Sequence, residues 1–271
     1  MDILNLVIAM ALTGAVAGLI AGLLGVGGGI VVVPVLELVL GIVGVDPAVR
    51  MHIAVGTSLA IIIPTSLASA RAHHRSNAVS MTLVRYWSPW IVVGTVLGAL
   101  VAGLAAPQVL YAVFGVVAVV VGTKMILPLD DRIMASDVPR GVTGAAIPAG
   151  IGFLSAMMGI GGGSMSVPVM TLCGRPIHQA VGTSALFGAF IAVPGAIGFV
   201  YTGWGNALLP WGSLGFVNLA GFALIIPTTI AFAPLGAKLA HSVSRRTLGL
   251  LFGTFLLIVA ARMGLRVFAA G

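Results

Sequence analysis

Charge is what this sequence has least of. Asp, Glu, Lys and Arg make up 7% of the 271 residues, against roughly 25% in a soluble globular domain. Thirteen basic and six acidic side chains are too few to wet the surface of a 27.3 kDa particle. Cysteine is almost missing as well. Cys173 stands alone, which excludes an intramolecular disulfide and a thiolate metal cage. The first 30 residues hold no Lys or Arg. The positive start of a secretory signal is therefore absent, and residues 1–25 read as a retained membrane helix. The net charge of +7 comes from basic residues scattered in ones and twos, not from the basic stripe that a nucleic-acid backbone requires. Paired carboxylates, a His-rich cluster and a Ser–His–Asp set are also missing, which leaves a membrane enzyme as the weakest functional class.

What is present is apolar. Hydrophobic residues make up 59% of the chain and the mean hydropathy is +1.19. Nothing among Asp, Glu, Lys and Arg interrupts the stretches between Arg85 and Lys124 or between Arg175 and Lys238. A bilayer-spanning helix takes about 20 apolar residues, so the longer stretch must cross more than once. The composition specifies an all-α polytopic membrane protein.

An internal repeat organises the chain. Gly25-Val26-Gly27-Gly28-Gly29 with Pro34 returns as Gly159-Ile160-Gly161-Gly162-Gly163 with Pro168. His52…Val55-Gly56-Thr57-Ser58 returns as His178…Val181-Gly182-Thr183-Ser184, and Phe114-Gly115 returns as Phe252-Gly253. Matches in the same order mean two copies of one unit. The units are expected at 1–127 and 142–271, joined by a polar cytoplasmic linker at 128–141. Each unit divides into about five helical segments: 3–24, 29–44, 48–70, 80–103 and 107–127, then 142–158, 164–174, 177–201, 212–239 and 246–267. The second segment of each unit is short and glycine-interrupted, which reads as a half-helix that is either re-entrant or a short span.

The loops give the orientation. Arg71 to Arg75 follow the third segment of the first unit, whereas uncharged Tyr201 to Asn206 follow the third segment of the second. The fourth loops reverse this: Gly103 to Gln108 are uncharged, and His241 to Arg246 are basic. Because Lys and Arg favour the cytoplasmic side, the units are expected to be inverted-topology repeats, with only Arg50, Arg262 and Arg266 outside. That architecture is common among secondary transporters.

The glycine breaks are the strongest local signal. Unwound backbone at membrane depth survives only where protein or a water-filled cavity satisfies it, and each break precedes a helix start whose free N–H groups suit an anion. Gly27, Gly28, Gly29, Gly161, Gly162 and Gly163 are therefore substrate-binding candidates; close helix packing is the alternative. Neither break has the G-x-G-x-x-G or Gly-Lys-Ser/Thr pattern of a nucleotide site, and no cofactor is implied. Thr57, Ser58, Thr183, Ser184 and Ser164 add hydroxyl donors, or else bond back to their own helices. Glu37, His52 and His178 are candidates for carrying a coupling proton, with simple interfacial placement as the alternative. The loose group of Met157, Met158, Met165, Met170 and Cys173 reads as apolar packing rather than a soft-metal site.

These paired Gly-rich segments, each followed by Val-Gly-Thr-Ser, resemble the TauE/SafE family of sulfite exporters over nearly the whole chain. The resemblance implies a multi-pass carrier in the cytoplasmic membrane of a bacterium or archaeon. Its substrate would be sulfite, thiosulfate, a sulfonate or a related small sulfur anion, with a proton or cation as coupling partner. An anion-selective channel, or a carrier for another small anion, is the competing reading.

Overall fold

The computed structural model describes residues 3–24, 29–75, 77–127, 139, 141–240 and 245–269. Ten helices follow one another among them. They are α1 (Ile3–Leu24), α2 (Gly29–Ile42), α3 (Pro47–Arg75), α4 (Met81–Leu104), α5 (Pro107–Ile126), α6 (Gly141–Met158), α7 (Gly163–Leu172), α8 (Ile177–Thr202), α9 (Leu219–Ala240) and α10 (Arg245–Ala269). Helices α3, α4, α5, α6, α8 and residues 249–267 of α10 are long and apolar enough to cross a membrane. The chain is a multi-pass helical membrane protein. Its outer surface agrees: Leu97, Val116, Val120, Ile197, Leu251 and Ile258 all project outward, where acyl chains rather than water can cover them.

The expected segments and the helices coincide closely, with one correction. The ninth helix was expected from residue 212 and begins at Leu219. A two-stranded hairpin, β1 (Ser213–Leu214) against β2 (Val217–Asn218), occupies the difference. Gly212 and Gly215 adopt φ +78° and +54°, backbone that interrupts a helix and that glycine adopts without steric cost. The short second segments are short as expected. With 14 and 10 residues, α2 and α7 extend about 21 and 15 Å, below the ~30 Å hydrocarbon thickness.

Packing interleaves the two sequence units. α1 lies mainly on α9, and α6 on α4, while α5 pairs with α10 and α3 with α8. Glycines make these seams close. A side-chain carbon at Gly14 or Gly18 would collide with Ile225 or Thr229 backbone, and one at Gly94 or Gly98 with the Ala149 or Phe153 carbonyl. This is small-residue packing, which stands in for the hydrophobic effect between helices in lipid. The α3–α8 pair is central, and every residue of α3 from Met51 to Ile62 is buried.

Candidate functional site

The second glycine break closes α6 and opens α7. Gly159 ends α6 with φ +68°, and its carbonyl turns toward the first unit. Ser58 donates its hydroxyl to that carbonyl at 2.7 Å. Gly29, the first residue of α2, comes so near that a Cβ there would lie 2.7 Å from the same oxygen and 3.1 Å from Ile160 Cα. Gly29 thus meets the second break in the buried core. Gly27 and Gly28 lie outside the described residues. Gly161 and Gly162 are buried, the first beside Ile62 and the second against Phe187 and Ile191. The first turn of α7, from Gly163, leaves N–H groups without an intrahelical acceptor, as any helix start does. The Ser164 hydroxyl reaches back to Gly161 O at 3.5 Å, and Ser166 bonds Gly162 O.

The repeated Gly-Thr pair makes matching contacts in both units. The Thr57 hydroxyl oxygen accepts from the Asn218 N–H at 2.9 Å, and Thr183 accepts from the Ser80 N–H at 3.0 Å. Asn218 and Ser80 stand immediately before α9 and α4, the fourth helices of the opposite units. Beside each threonine a glycine admits backbone: a Cβ on Gly56 would lie 2.6 Å from Phe216 O, and on Gly182 2.5 Å from Ala78 O. Ser184 bonds back to Val181 O at 2.8 Å. Thr57, Ser58, Thr183 and Ser184 are all buried.

A threonine that accepts a structural hydrogen bond makes a definite expectation. Thr57→Val strands the N–H of Asn218, itself 4% exposed, at a cost of about 1–3 kcal/mol. Thr183→Val strands the half-buried Ser80 N–H and should cost less. Thermal unfolding of the two variants in detergent checks the order; equal and negligible losses would show that neither bond holds the halves together.

Glu37 lies on α2, eight residues or about 12 Å along the helix from Gly29. It is fully buried. Arg262 Nη2 meets Oε2 at 2.5 Å, the Tyr111 hydroxyl donates to Oε1 at 3.1 Å, and Arg50 Nη1 and Arg266 Nε approach Oε1 at 3.9 and 3.8 Å. Arg262 also donates to Pro34 O at 3.3 Å, so it holds α2 at two points. Beside this cluster a cavity of about 480 Å³ opens at the N-terminal end of α3. A second, of about 350 Å³, lies at the other end of α3 and is lined by Arg71 and His74. His52 is buried and stacks on Phe216 with ring centroids 4.8 Å apart, its Nε2 lying 3.1 Å from Ala105 O. His178, its sequence counterpart, is exposed.

A multi-pass helical membrane fold is what the resemblance implies. The profile described as sulfite exporter TauE/SafE matches residues 10–263. The chain belongs to the TauE/SafE family. It is 36% identical to a probable membrane transporter protein of Haemophilus influenzae over 258 residues, 94% of this chain and 97% of that one. It is 26% identical to the probable membrane transporter protein YunE of Bacillus subtilis, over 92% of this chain and 94% of the relative. No solved structure matches it. The family and the names of these relatives indicate a membrane transporter rather than an enzyme, and a transporter in a membrane would contact lipid and a small-molecule substrate.

Several residues of this family member escaped the sequence reading. Arg50, Arg262, Arg266 and Tyr111 were not associated with Glu37, although the three arginines are the ones assigned to the outer side. A lone carboxylate in an apolar helix needs a counter-charge, and that was the available signal. Trp87 was also passed over. It is fully buried, it stacks on Phe187 at 5.8 Å, and its indole N–H has no acceptor among the described residues.

Proposed function

We propose that this protein is a secondary carrier for sulfite or a related small sulfur-containing anion, such as thiosulfate or a sulfonate, in the cytoplasmic membrane of a prokaryote. Residues 1–127 and 142–271 act as inverted repeats, joined by a cytoplasmic linker at 128–141, and alternate access between the two sides under an ion gradient. The observation that carries the reading is the meeting of Gly29 with Gly159 and Ile160, where Ser58 donates across the units. Backbone N–H groups around Gly27–Gly29 and Gly161–Gly163, with hydroxyls of Thr57, Ser58, Ser164, Thr183 and Ser184, bind the substrate oxygens. The matched Thr57–Asn218 and Thr183–Ser80 bonds support a twofold relation between the units. They also mean that substrate must share these threonines with structure.

A carrier is favoured over a channel by the barrier between the two cavities, since α3 is buried continuously from Met51 to Ile62. Of the coupling candidates, Glu37 and His52 lie buried near the Arg50 end of α3, and His178 is exposed. Proteoliposomes supply the test. Sulfite, sulfate, thiosulfate and methanesulfonate are offered with and without a pH gradient. Saturable uptake of at least one sulfur anion, with counterflow of the labelled species, is expected. Uptake that never saturates would mean a channel, and no uptake of any of the four would end the sulfur-anion reading.

A further inference from the structure

The carboxylate of Glu37 uses the arginines around it unequally. Arg262 is committed to it, through the 2.5 Å contact and the bond to Pro34 O. Arg50 is mostly committed elsewhere: Nε and Nη2 donate to Val45 O at 3.2 and 2.7 Å, leaving only Nη1 toward Glu37. Arg266 is different. Its Nε stands 3.8 Å from Oε1, too far for a hydrogen bond, its side chain is 42% exposed, and no other ion-pair partner meets it among the described residues. Arg50, Arg266 and Tyr111 all line the 480 Å³ cavity together with Gln108 and Asp46. Asp46 is occupied in capping α3, accepting the Ala48 N–H at 2.8 Å. Three guanidiniums against two carboxylates leave the cluster net positive beside an open space. An under-used guanidinium fork there suits a bidentate oxyanion.

We infer that this cavity is a second anion site: Arg266 and Arg50, with the Tyr111 hydroxyl, hold a sulfur oxyanion at the mouth, and Glu37 is the internal anion that the ligand displaces from them. The ligand class rests on the transport reading, but the site is separate from the glycine breaks. The excess positive charge of the cluster offsets the charge of the incoming anion, which lowers the cost of bringing an ion toward a membrane interior. It also ties occupancy of the mouth to α2, since Glu37 and Pro34 anchor that half-helix to Arg262.

The test is calorimetric titration of sulfite into purified protein in detergent, with methanesulfonate and chloride as comparison ligands. Arg266→Gln is expected to weaken sulfite binding at least tenfold at an unchanged melting temperature, and Arg266→Lys to recover most of the loss. Glu37→Gln, which removes the competing charge and keeps the shape, is expected to tighten binding several-fold. Wild-type affinity in both Arg266→Gln and Glu37→Gln overturns the site, and so does the absence of saturable binding by any of the three anions. Uptake by the same preparations separates this from the carrier reading. Arginine-dependent binding without uptake leaves the cavity site standing and removes transport. Uptake with an unchanged KM and unchanged binding in Arg266→Gln does the reverse.

Discussion

Gly159→Ala is expected to destabilise the protein by about 2–5 kcal/mol. Two costs add at this position. The residue sits at φ +68°, where a side chain costs roughly 1–2 kcal/mol. The new Cβ would also lie 2.9 Å from Val33 Cγ2, from Val55 Cα and from Val55 O. Backbone on one side and a β-branched side chain on the other leave it nowhere to move, and overpacking of this kind costs about 1–3 kcal/mol. The apparent melting temperature in detergent should fall by roughly 10 °C. Gly264→Ala is the control, because a Cβ there meets nothing within 4 Å and alanine favours the helix by up to about 1 kcal/mol. If both variants melt with the wild type, the close approach of Gly159 to Val33 and Val55 is not part of the stable fold.

Removing Glu37 should cost more than removing any one of its arginines. Glu37→Ala leaves Arg50, Arg262 and Arg266 facing one another without a counter-ion, and stripping one partner from a buried ion pair costs about 3–5 kcal/mol. Arg262→Ala is milder, since Arg50, Arg266 and Tyr111 still meet the carboxylate. Arg266→Ala should cost under about 1 kcal/mol, as a half-exposed pair contributes little. The order of melting temperatures across the three variants checks this. An Arg266→Ala loss as large as that of Glu37→Ala would show that Arg266 is a structural strut, with no freedom to receive a ligand.

The helices were legible in the sequence because in a membrane their boundaries are written in single residue types. Apolar runs mark the spans, and Gly25–Gly29, Gly159–Gly163 and Gly103–Gln108 mark the breaks and turns. The β1–β2 hairpin was not legible, since Trp211 to Val217 carries no charge and only Gly212, Ser213 and Gly215 interrupt its apolar run. Of the candidate site, the second break at Gly159 could be read from its run of glycines. The partners of Thr57 and Thr183 could not. Asn218 and Ser80 stand before helices of the opposite unit, and no local pattern in one chain announces a hydrogen bond across so long a separation. Glu37 and its arginines each stand out in the sequence only by their own position along the chain. Desolvation, the physical reason to join them, acts only once α2, α3 and α10 are packed.

The interleaved packing has a consequence for how the protein is made. α1 ends at Leu24, and its main partner α9 begins at Leu219. At a synthesis rate of roughly 5–20 residues per second, α1 waits on the order of 10–40 s for its mate. Throughout that interval the Gly14–Gly18 groove, cut to receive Ile225 and Thr229, lies open to lipid or to the insertion machinery. A ribosome that stalled after the first unit would therefore release an orphan, with α1 and α4 both lacking the surfaces they were shaped against. Separately expressed halves should accumulate only when both are present in the same membrane.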